Sequence, residues 1–360
     1  MFSDLEWIPY CLASGVPQNT PRRKERYRMQ QHKLSFKVVD RACVTRRVVG
    51  DWEVRLRGAG FDLVLPKDGP DAPMPREDFL GKVAGCAGVL SMLTDRWDAE
   101  AFEAAGPGLR IVANYAVGYN NVDLAEATRR GVIVTNTPDV LTEATADTAW
   151  ALVMMASRRL GEAERHLRAG RFHGWGPNDW IGVDLRGRTL GIIGAGRIGE
   201  ATARRARAWN MRIVYSHQNP KPDFEAATGG SRVPLDQLLS ESDFVSLHVP
   251  FTAKTRHLIG ARELTLMKPT AILVNTARGP IVDEAALVVA LRERRLYAAG
   301  LDVYEDEPRL APGLVELENV VLLPHVGSGT PEAREGMARV ATDNLLAVLA
   351  GKPPINPVTP

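Results

Sequence analysis

Three segments of the chain set reactive side chains directly after runs that read as β-strands. Thr276-Ala277-Arg278-Gly279-Pro280 follows Ala271–Asn275, and Tyr304-Glu305-Asp306-Glu307-Pro308 follows Ala298–Val303. Pro324-His325-Val326-Gly327-Ser328 follows a third run, Val320–Leu323. In an open α/β sheet the ligand crevice lies outside the carboxyl ends of the strands, so a cation, an acidic cluster and an imidazole converge on one edge. Those types suit the reduction of a 2-keto acid, which needs a fixed cation for the carboxylate, a proton donor for the carbonyl oxygen and a hydride source. Arg278 offers a planar fork that holds a carboxylate while polarising the carbonyl. His325 can give the alkoxide its proton, with a neighbouring carboxylate to orient the ring. The residues alone do not choose among Glu305, Asp306 and Glu307 for that partner. Taken singly, each has a duller reading: a surface or capping arginine, a strand-end histidine, a solvated acidic turn. Their joint occurrence after three successive strands argues for catalysis.

The hydride source is suggested by Gly194-Ala195-Gly196-Arg197-Ile198-Gly199. This loop lies between the apolar run Leu190-Gly191-Ile192-Ile193 and the Ala-rich Glu200-Ala201-Thr202-Ala203, which is the strand–turn–helix context a dinucleotide fingerprint requires. Gly194 suits the tight turn, Gly196 lets a pyrophosphate approach the backbone, and Gly199 lets helix pack on strand. The helix N-terminus then offers N–H groups and a positive dipole to the phosphates. An NAD enzyme places Asp or Glu at the end of the next strand for the ribose 2′-hydroxyl. Here that window reads Ile213-Val214-Tyr215-Ser216-His217-Gln218-Asn219-Pro220-Lys221, with no acid. A 2′-phosphate would meet no repulsion, Ser216 could donate to it, and His217 or Lys221 could add positive charge. NADP(H) is therefore the expected cofactor, with NAD(H) as the alternative. His248 ends a strand within Leu247-His248-Val249-Pro250, where backbone packing is the expected role and the cofactor edge the alternative. No His, Cys or carboxylate spacing proposes a metal.

From residue 37 onward β-rich runs alternate with helical patterns, the signature of parallel α/β sheets. The first round reads as strands at Ala42–Thr45, Phe61–Leu65, Gly88–Met92, Arg110–Asn114 and Val132–Thr135. The second reads at Thr189–Ile193, Arg212–Tyr215, Phe244–Val249 and the three strands already named. A long helix is predicted over Asp139–Arg168, followed by an aromatic Gly/Pro loop from Phe172 to Trp180. Further helices fit Arg197–Trp209 and Glu284–Arg295. A last one opens at Thr330-Pro331-Glu332, with Thr as cap and Pro in the first turn, and runs to Gly351. The fold class is thus α/β, in two Rossmann-like or flavodoxin-like parallel-sheet domains with a cleft between them.

Lys plus Arg number 45 against 43 Asp plus Glu, a net charge of +2, so nothing points to a nucleic-acid or membrane partner. Apolar residues at 45% and charged ones at 24% argue against wholesale disorder. The longest apolar stretch, Ala149–Ala156, is far short of the ~20 residues that cross a bilayer. The three cysteines, Cys11, Cys43 and Cys86, are odd in number and suggest neither a disulfide framework nor a zinc cluster, so a reducing cytoplasm is expected. Residues 1–36 lack sustained periodicity and an apolar signal core. They read as a disordered extension, or as an early start with Met29 the true initiator.

The runs Ser91–Thr94, Val112–Asp123, Asn136–Thr142, Gly194–Gly199, Asn275–Gly279, Gly300–Val303 and Leu323–Ser328 together resemble the D-isomer-specific 2-hydroxyacid dehydrogenase family. Within it the likeness is greatest to glyoxylate/hydroxypyruvate reductases and 2-ketogluconate reductases. It runs from about residue 80 to the C-terminus. The resemblance implies Arg278 as binder of the substrate carboxylate and carbonyl, His325 as acid/base, and Glu307 as its partner. It also implies Asp302 as holder of the nicotinamide carboxamide, with Val249, Pro250, Thr255, Thr276, Ala277 and Gly327 on the cofactor. Val117-Gly118 resembles the backbone turn that receives the substrate carboxylate, with Met92 and Leu93 on the opposite wall. Asn120 departs from a pattern that commonly shows Asp there, and is expected to matter little because it caps a turn. The implied architecture is a substrate domain of residues 37–138 and 327–360 wrapped around a dinucleotide domain at 139–326, in a homodimer. The implied reaction is NADPH-preferring reduction of glyoxylate and hydroxypyruvate to D-2-hydroxy acids. The alternatives are 2-ketogluconate reduction and a dinucleotide-sensing corepressor of the same fold.

Overall fold

The computed structural model describes residues 40–66 and 72–359, so the extension read over 1–36 lies outside the described residues. Short apolar runs build two sheets whose strand pairings are all parallel. The first holds β1 (Arg41–Val44), β2 (Asp62–Val64), β3 (Gly88–Ser91), β4 (Ile111–Asn114) and β5 (Ile133–Thr135), in the order β2-β1-β3-β4-β5. The second holds β6 (Thr189–Ile193), β7 (Arg212–Ser216), β8 (Ser231–Arg232), β9 (Phe244–Leu247), β10 (Ile272–Asn275), β11 (Ala298–Leu301) and β12 (Val320–Leu322). Its order is β12-β11-β10-β9-β6-β7-β8. The first order is flavodoxin-like, and the second reverses between β6 and β9 as dinucleotide-binding sheets do. Each reversal leaves a crevice at the carboxyl ends of its strands, between β1 and β3 in one sheet and between β6 and β9 in the other.

The strands are apolar along their length because layers cover both faces. In β10, Leu273 packs into one layer with Leu247, Leu287 and Leu301, while Ile272 and Val274 join Leu152, Ile192 and Phe244 in the other. That is the two-residue alternation of a pleated strand. The first sheet buries Cys43, Val89 and Val112 with Trp97 and Phe102 on one face. On its other face Ala42, Leu90 and Ile111 meet Met337, Ala341 and Leu345 of the helix Pro331–Leu349. Burying Met337 and Leu345 contributes roughly 1.5–3 kcal/mol each, which holds the end of the chain on a sheet built from its beginning. Thr330 caps that helix as expected, accepting from the Ala333 N–H at 3.2 Å.

One predicted element is corrected. The helix read over Asp139–Arg168 is two helices, Thr142–Ser157 and Leu160–Arg168. Arg159 between them is left-handed, with φ 55°, and its guanidinium forks onto Glu162 at 2.8 and 2.7 Å. The Ser157 carbonyl, which an unbroken helix would give to residue 161, instead accepts from the Val183 N–H at 2.8 Å. A returning loop therefore ends the first helix, and apolar spacing carries no trace of that bond. The predicted strand ends at Val249 and Val303 are trimmed by two residues, and β8, two exposed residues long, has no pattern to read. Among the described residues no helix is long and apolar enough to cross a membrane.

Candidate active site

The glycine loop leaves β6 at the switch point. Gly194 has φ +101°, and a Cβ there would stand 2.7 Å from the His248 carbonyl carbon and the Val249 nitrogen, so the chain after β9 rests directly on it. Its N–H donates to the Ser216 carbonyl at 3.0 Å, and the His248 N–H donates to the Ile193 carbonyl at 2.7 Å, which ties the ends of β6, β7 and β9 together. Gly199 lies against the Gly194 carbonyl, as the fingerprint requires. Gly196 is the extended N-cap of the helix Arg197–Arg207, with open space where a Cβ would project. That opening over an uncapped helix end fits a pyrophosphate. Arg197 donates to Asp139 at 2.7 Å, and Arg197 and Ile198 line the cavity.

Ser216 ends β7 and His217 follows it, at the far end of the sheet from the catalytic groups and outside the cavity lining. Burial, and then the charges of Lys221 and Arg232, pull the His217 pKa down. Val249 and Pro250 line the cavity, whereas Thr255 does not. The Thr255 hydroxyl donates to the Pro250 carbonyl and accepts from the Thr252 N–H, each at 2.8 Å, so it shapes the loop.

Arg278 is fixed from several sides. Its turn is held by Asn275, whose side chain donates to the Arg278 carbonyl at 2.9 Å and accepts from the Ala277 N–H at 3.0 Å. The guanidinium donates to the Ala277 carbonyl at 2.7 Å and, from Nε, to Oδ1 of Asn120 at 2.9 Å. It lies flat against Gly118, where a Cβ would stand 2.6 Å from Cζ. Asn120, expected to matter little, is thus the residue that anchors the arginine. Burial lowers the Arg278 pKa, and the Glu307 charge partly restores it.

His325 meets Glu307: Nδ1 lies 2.9 Å from Oε2, which leaves Nε2 as the free ring nitrogen. Burial pushes the Glu307 carboxyl up, but the bond to His325, the Tyr304 N–H at 3.0 Å and the Arg278 charge together hold it below its ordinary value. Glu305 and Asp306 are engaged elsewhere. Glu305 receives His257 at 2.6 Å and Arg256 at 3.1 Å, and Asp306 pairs with Arg309 at 2.5 Å. His325 is itself left-handed, with φ 55°. Its conformation is held from the next two residues, since Val326 and Gly327 donate their N–H groups to Asp302 at 2.7 and 2.8 Å. Burial raises the pKa of that carboxylate.

Arg278, His325, Asp302, Thr276, Ala277 and Gly327 face one cavity of about 340 Å³, with Val117, Gly118 and Leu93 on the opposite wall. Met92 does not reach it, being buried in the apolar core of the first sheet. The carbonyls of Val117 and Gly118 accept from Asn136 and Asn114 at 2.8 and 2.9 Å. Among the described residues nothing takes their N–H groups, which suits them to an anion. Among the described residues the Thr276 hydroxyl, buried at the same cavity, has no partner. Thr142, which closes the run Asn136–Thr142, also lines it, as do Thr145 and Phe251, which carried no sequence signal. His248 lines it too, with a ring nitrogen 2.9 Å from the Ser246 hydroxyl and a pKa pushed down by burial to about 3.

An arginine and a buttressed imidazole at the edge of a dinucleotide-loop sheet, facing a turn of a second parallel sheet across one cavity, belong to the two-domain α/β dehydrogenases, and this fold and site fall in that class. The model of the D-isomer specific 2-hydroxyacid dehydrogenase NAD binding domain matches residues 150–327. The glyoxylate reductase of Thermococcus onnurineus is 53% identical over 318 residues, covering 87% of this chain and 94% of the relative. A Thermus thermophilus protein of solved structure superposes with a TM-score of 0.82 at 44% identity, covering 89% of this chain and 100% of that one. The NADPH-dependent glyoxylate/hydroxypyruvate reductase of Sinorhizobium meliloti, solved with NADP and malonate, superposes with a TM-score of 0.77 at 36% identity over 89% of this chain and 96% of that one. The chain belongs to the D-isomer specific 2-hydroxyacid dehydrogenase family, and is an oxidoreductase that uses a nicotinamide dinucleotide.

Proposed function

We propose that the protein reduces small 2-keto acids, glyoxylate and hydroxypyruvate foremost, to D-2-hydroxy acids, with NADPH preferred to NADH. The observation that carries this reading is the opposition, across one small cavity, of Arg278 and the His325–Glu307 pair to the Val117–Gly118 turn. Arg278 receives the substrate carboxylate and polarises the adjacent carbonyl, and the turn's free N–H groups take the other carboxylate oxygen. A nicotinamide dinucleotide held at the glycine loop would supply the hydride for the carbonyl carbon. His325 gives the proton on Nε2 to the oxygen as it becomes an alkoxide, and Glu307 steadies the resulting ring orientation. Asp302 keeps His325 in place through Val326 and Gly327 and is a partner for the nicotinamide carboxamide. In this reading residues 37–138 and 327–360 form the substrate domain around a dinucleotide domain at 139–326, and closure of the cleft excludes water.

Two copies form the working unit. Leu160, Leu167, Phe172, Trp175 and Ile181 are 47–86% exposed within one stretch of the chain, apolar surface that a second copy would cover. Cytoplasmic residence accords with Cys43 and Cys86 being free and buried.

Initial rates with glyoxylate, hydroxypyruvate and 2-ketogluconate, each with NADPH and NADH, test the reading beside Arg278→Ala and His325→Ala. Faster turnover of the two smaller acids with NADPH, collapsing in both variants, is expected. A preference for 2-ketogluconate would move the substrate assignment, and tight dinucleotide binding without turnover of any keto acid would move the protein to a sensing role.

A further inference from the structure

β8 is only two residues long, yet it fixes a cation beside the end of β7. The strands pair in parallel with Tyr215 opposite Arg232. The Arg232 side chain reaches forward to the loop after β7, donating from Nε to the His217 carbonyl at 3.1 Å and from Nη2 to the Gln218 carbonyl at 2.9 Å. These bonds use two of five N–H groups and leave the rest on an exposed residue. Other arginines of the same domain are matched to acids, such as Arg212 with Glu241 at 2.7 Å and Arg205 with Asp147 at 2.6 Å. Among the described residues Arg232 has no carboxylate partner.

Its neighbourhood is arranged for an anion. Of the two acids that follow this loop, Asp223 is exposed in the first turn of the helix Pro222–Thr228, and Glu225 accepts from the Tyr215 hydroxyl at 2.7 Å, a hydroxyl that in turn accepts from the Lys221 N–H at 2.9 Å. Lys221 and Arg232 both lie close enough to His217 to depress its basicity. No residue from Ser216 to Lys221 carries negative charge. The carboxyl end of this strand is where a Rossmann sheet receives the adenosine ribose.

We propose that Arg232 determines the choice of cofactor: clamped to the His217 and Gln218 carbonyls, it presents its remaining N–H groups to the 2′-phosphate of NADP(H). This deepens the NADPH preference proposed above and rests on it. A guanidinium held by backbone has already lost much of its freedom, and its planar fork matches phosphate oxygens better than a lysine ammonium does. Ser216 and Lys221 then complete the phosphate's shell.

The test is calorimetric titration of the purified chain with 2′,5′-ADP and with 5′-AMP, for the wild type, Arg232→Gln and Arg232→Lys. These probes differ only in the 2′-phosphate and need no turnover. The wild type is expected to bind 2′,5′-ADP at least about tenfold more tightly than 5′-AMP. Arg232→Gln should weaken 2′,5′-ADP by roughly 10- to 100-fold while leaving 5′-AMP within about twofold, and Arg232→Lys should fall between. A wild-type preference that survives Arg232→Gln overturns the inference and leaves the NADPH reading standing. Equal losses on both probes overturn it as well, since Arg232 would then only shape the loop. A wild type that does not distinguish the probes removes both proposals.

Discussion

Replacing Gly118 with Ala should separate activity from stability. A Cβ at this position would stand 2.6 Å from Cζ of Arg278. Carbon atoms in contact settle at about 3.5 Å or more, and Nη2 stands nearer still, so the guanidinium has to retreat by at least about 1 Å. Gly118 does not take a positive φ, so alanine adopts its backbone without strain. The colliding group is the far end of a flexible side chain, which can swing away without disturbing either sheet. Retreat would stretch the 2.9 Å bond to Asn120 and draw the cation away from the cavity. A misplacement of about 1 Å in a group that orients substrate is worth on the order of 100-fold in rate, or about 2.7 kcal/mol of transition-state stabilisation. The assay is steady-state kcat/KM for glyoxylate beside thermal unfolding and dinucleotide affinity. The expected result is a loss of about 100-fold, with Tm within about 2 °C and dinucleotide binding unchanged. Full activity in Gly118→Ala would refute the reasoning, because the observed packing of Arg278 on the turn could not then be the catalytic one. A drop in Tm matching the drop in rate would refute it differently, by showing that the turn is structural.

Asn120→Ala, which removes a hydrogen bond to a charged group, should cost roughly 10-fold in kcat/KM, mostly through KM; no change would show that Gly118 alone positions the arginine. Glu307→Gln should lower kcat by roughly 100-fold or more, whereas Glu305→Gln, whose acid holds Arg256 and His257, should cost less than about tenfold; equal effects would undo the assignment of the pair. His248 titrates at about 3 in the folded chain against 6.5 ordinarily, so below pH 6.5 the unfolded chain takes up a proton that the folded chain refuses. Stability is therefore full above pH 6.5 and falls as pH drops toward 3, by about 2 kcal/mol at pH 5 from this group. Urea unfolding at about pH 7.5 and pH 5 should show the difference shrinking by that amount in His248→Gln, and an unchanged difference would show the ring to be solvated.

Much of this site is visible in the linear chain. Gly194–Gly199 sits between an apolar run and an Ala-rich run, and Arg278, the 305–307 acids and His325 each follow a run of buried residues. Both are local patterns, set by the pleat and the helical turn. The rule that ligands gather at strand carboxyl ends then brings distant segments together without knowledge of any contact. Residues whose roles depend on a partner chosen in space are not legible in this way. Asn120 meets Arg278 across 158 positions, and Glu305 is withdrawn from the acid cluster by His257, 48 positions away. Met92 and Leu93 are adjacent and both are expected on the substrate wall, yet only Leu93 faces it, because successive residues diverge where a strand ends. The break at Arg159 and the clamp by Arg232 have the same origin, a hydrogen bond from a segment that returns from elsewhere. Periodicity thus specified the sheets, the phosphate loop and the chemical types at their edge, since each depends on neighbours within a few residues. What holds the arginine and where the cavity walls stand followed only from packing, and resemblance rather than spacing named the acid for the histidine, because such partnerships depend on distances that the order of residues does not contain.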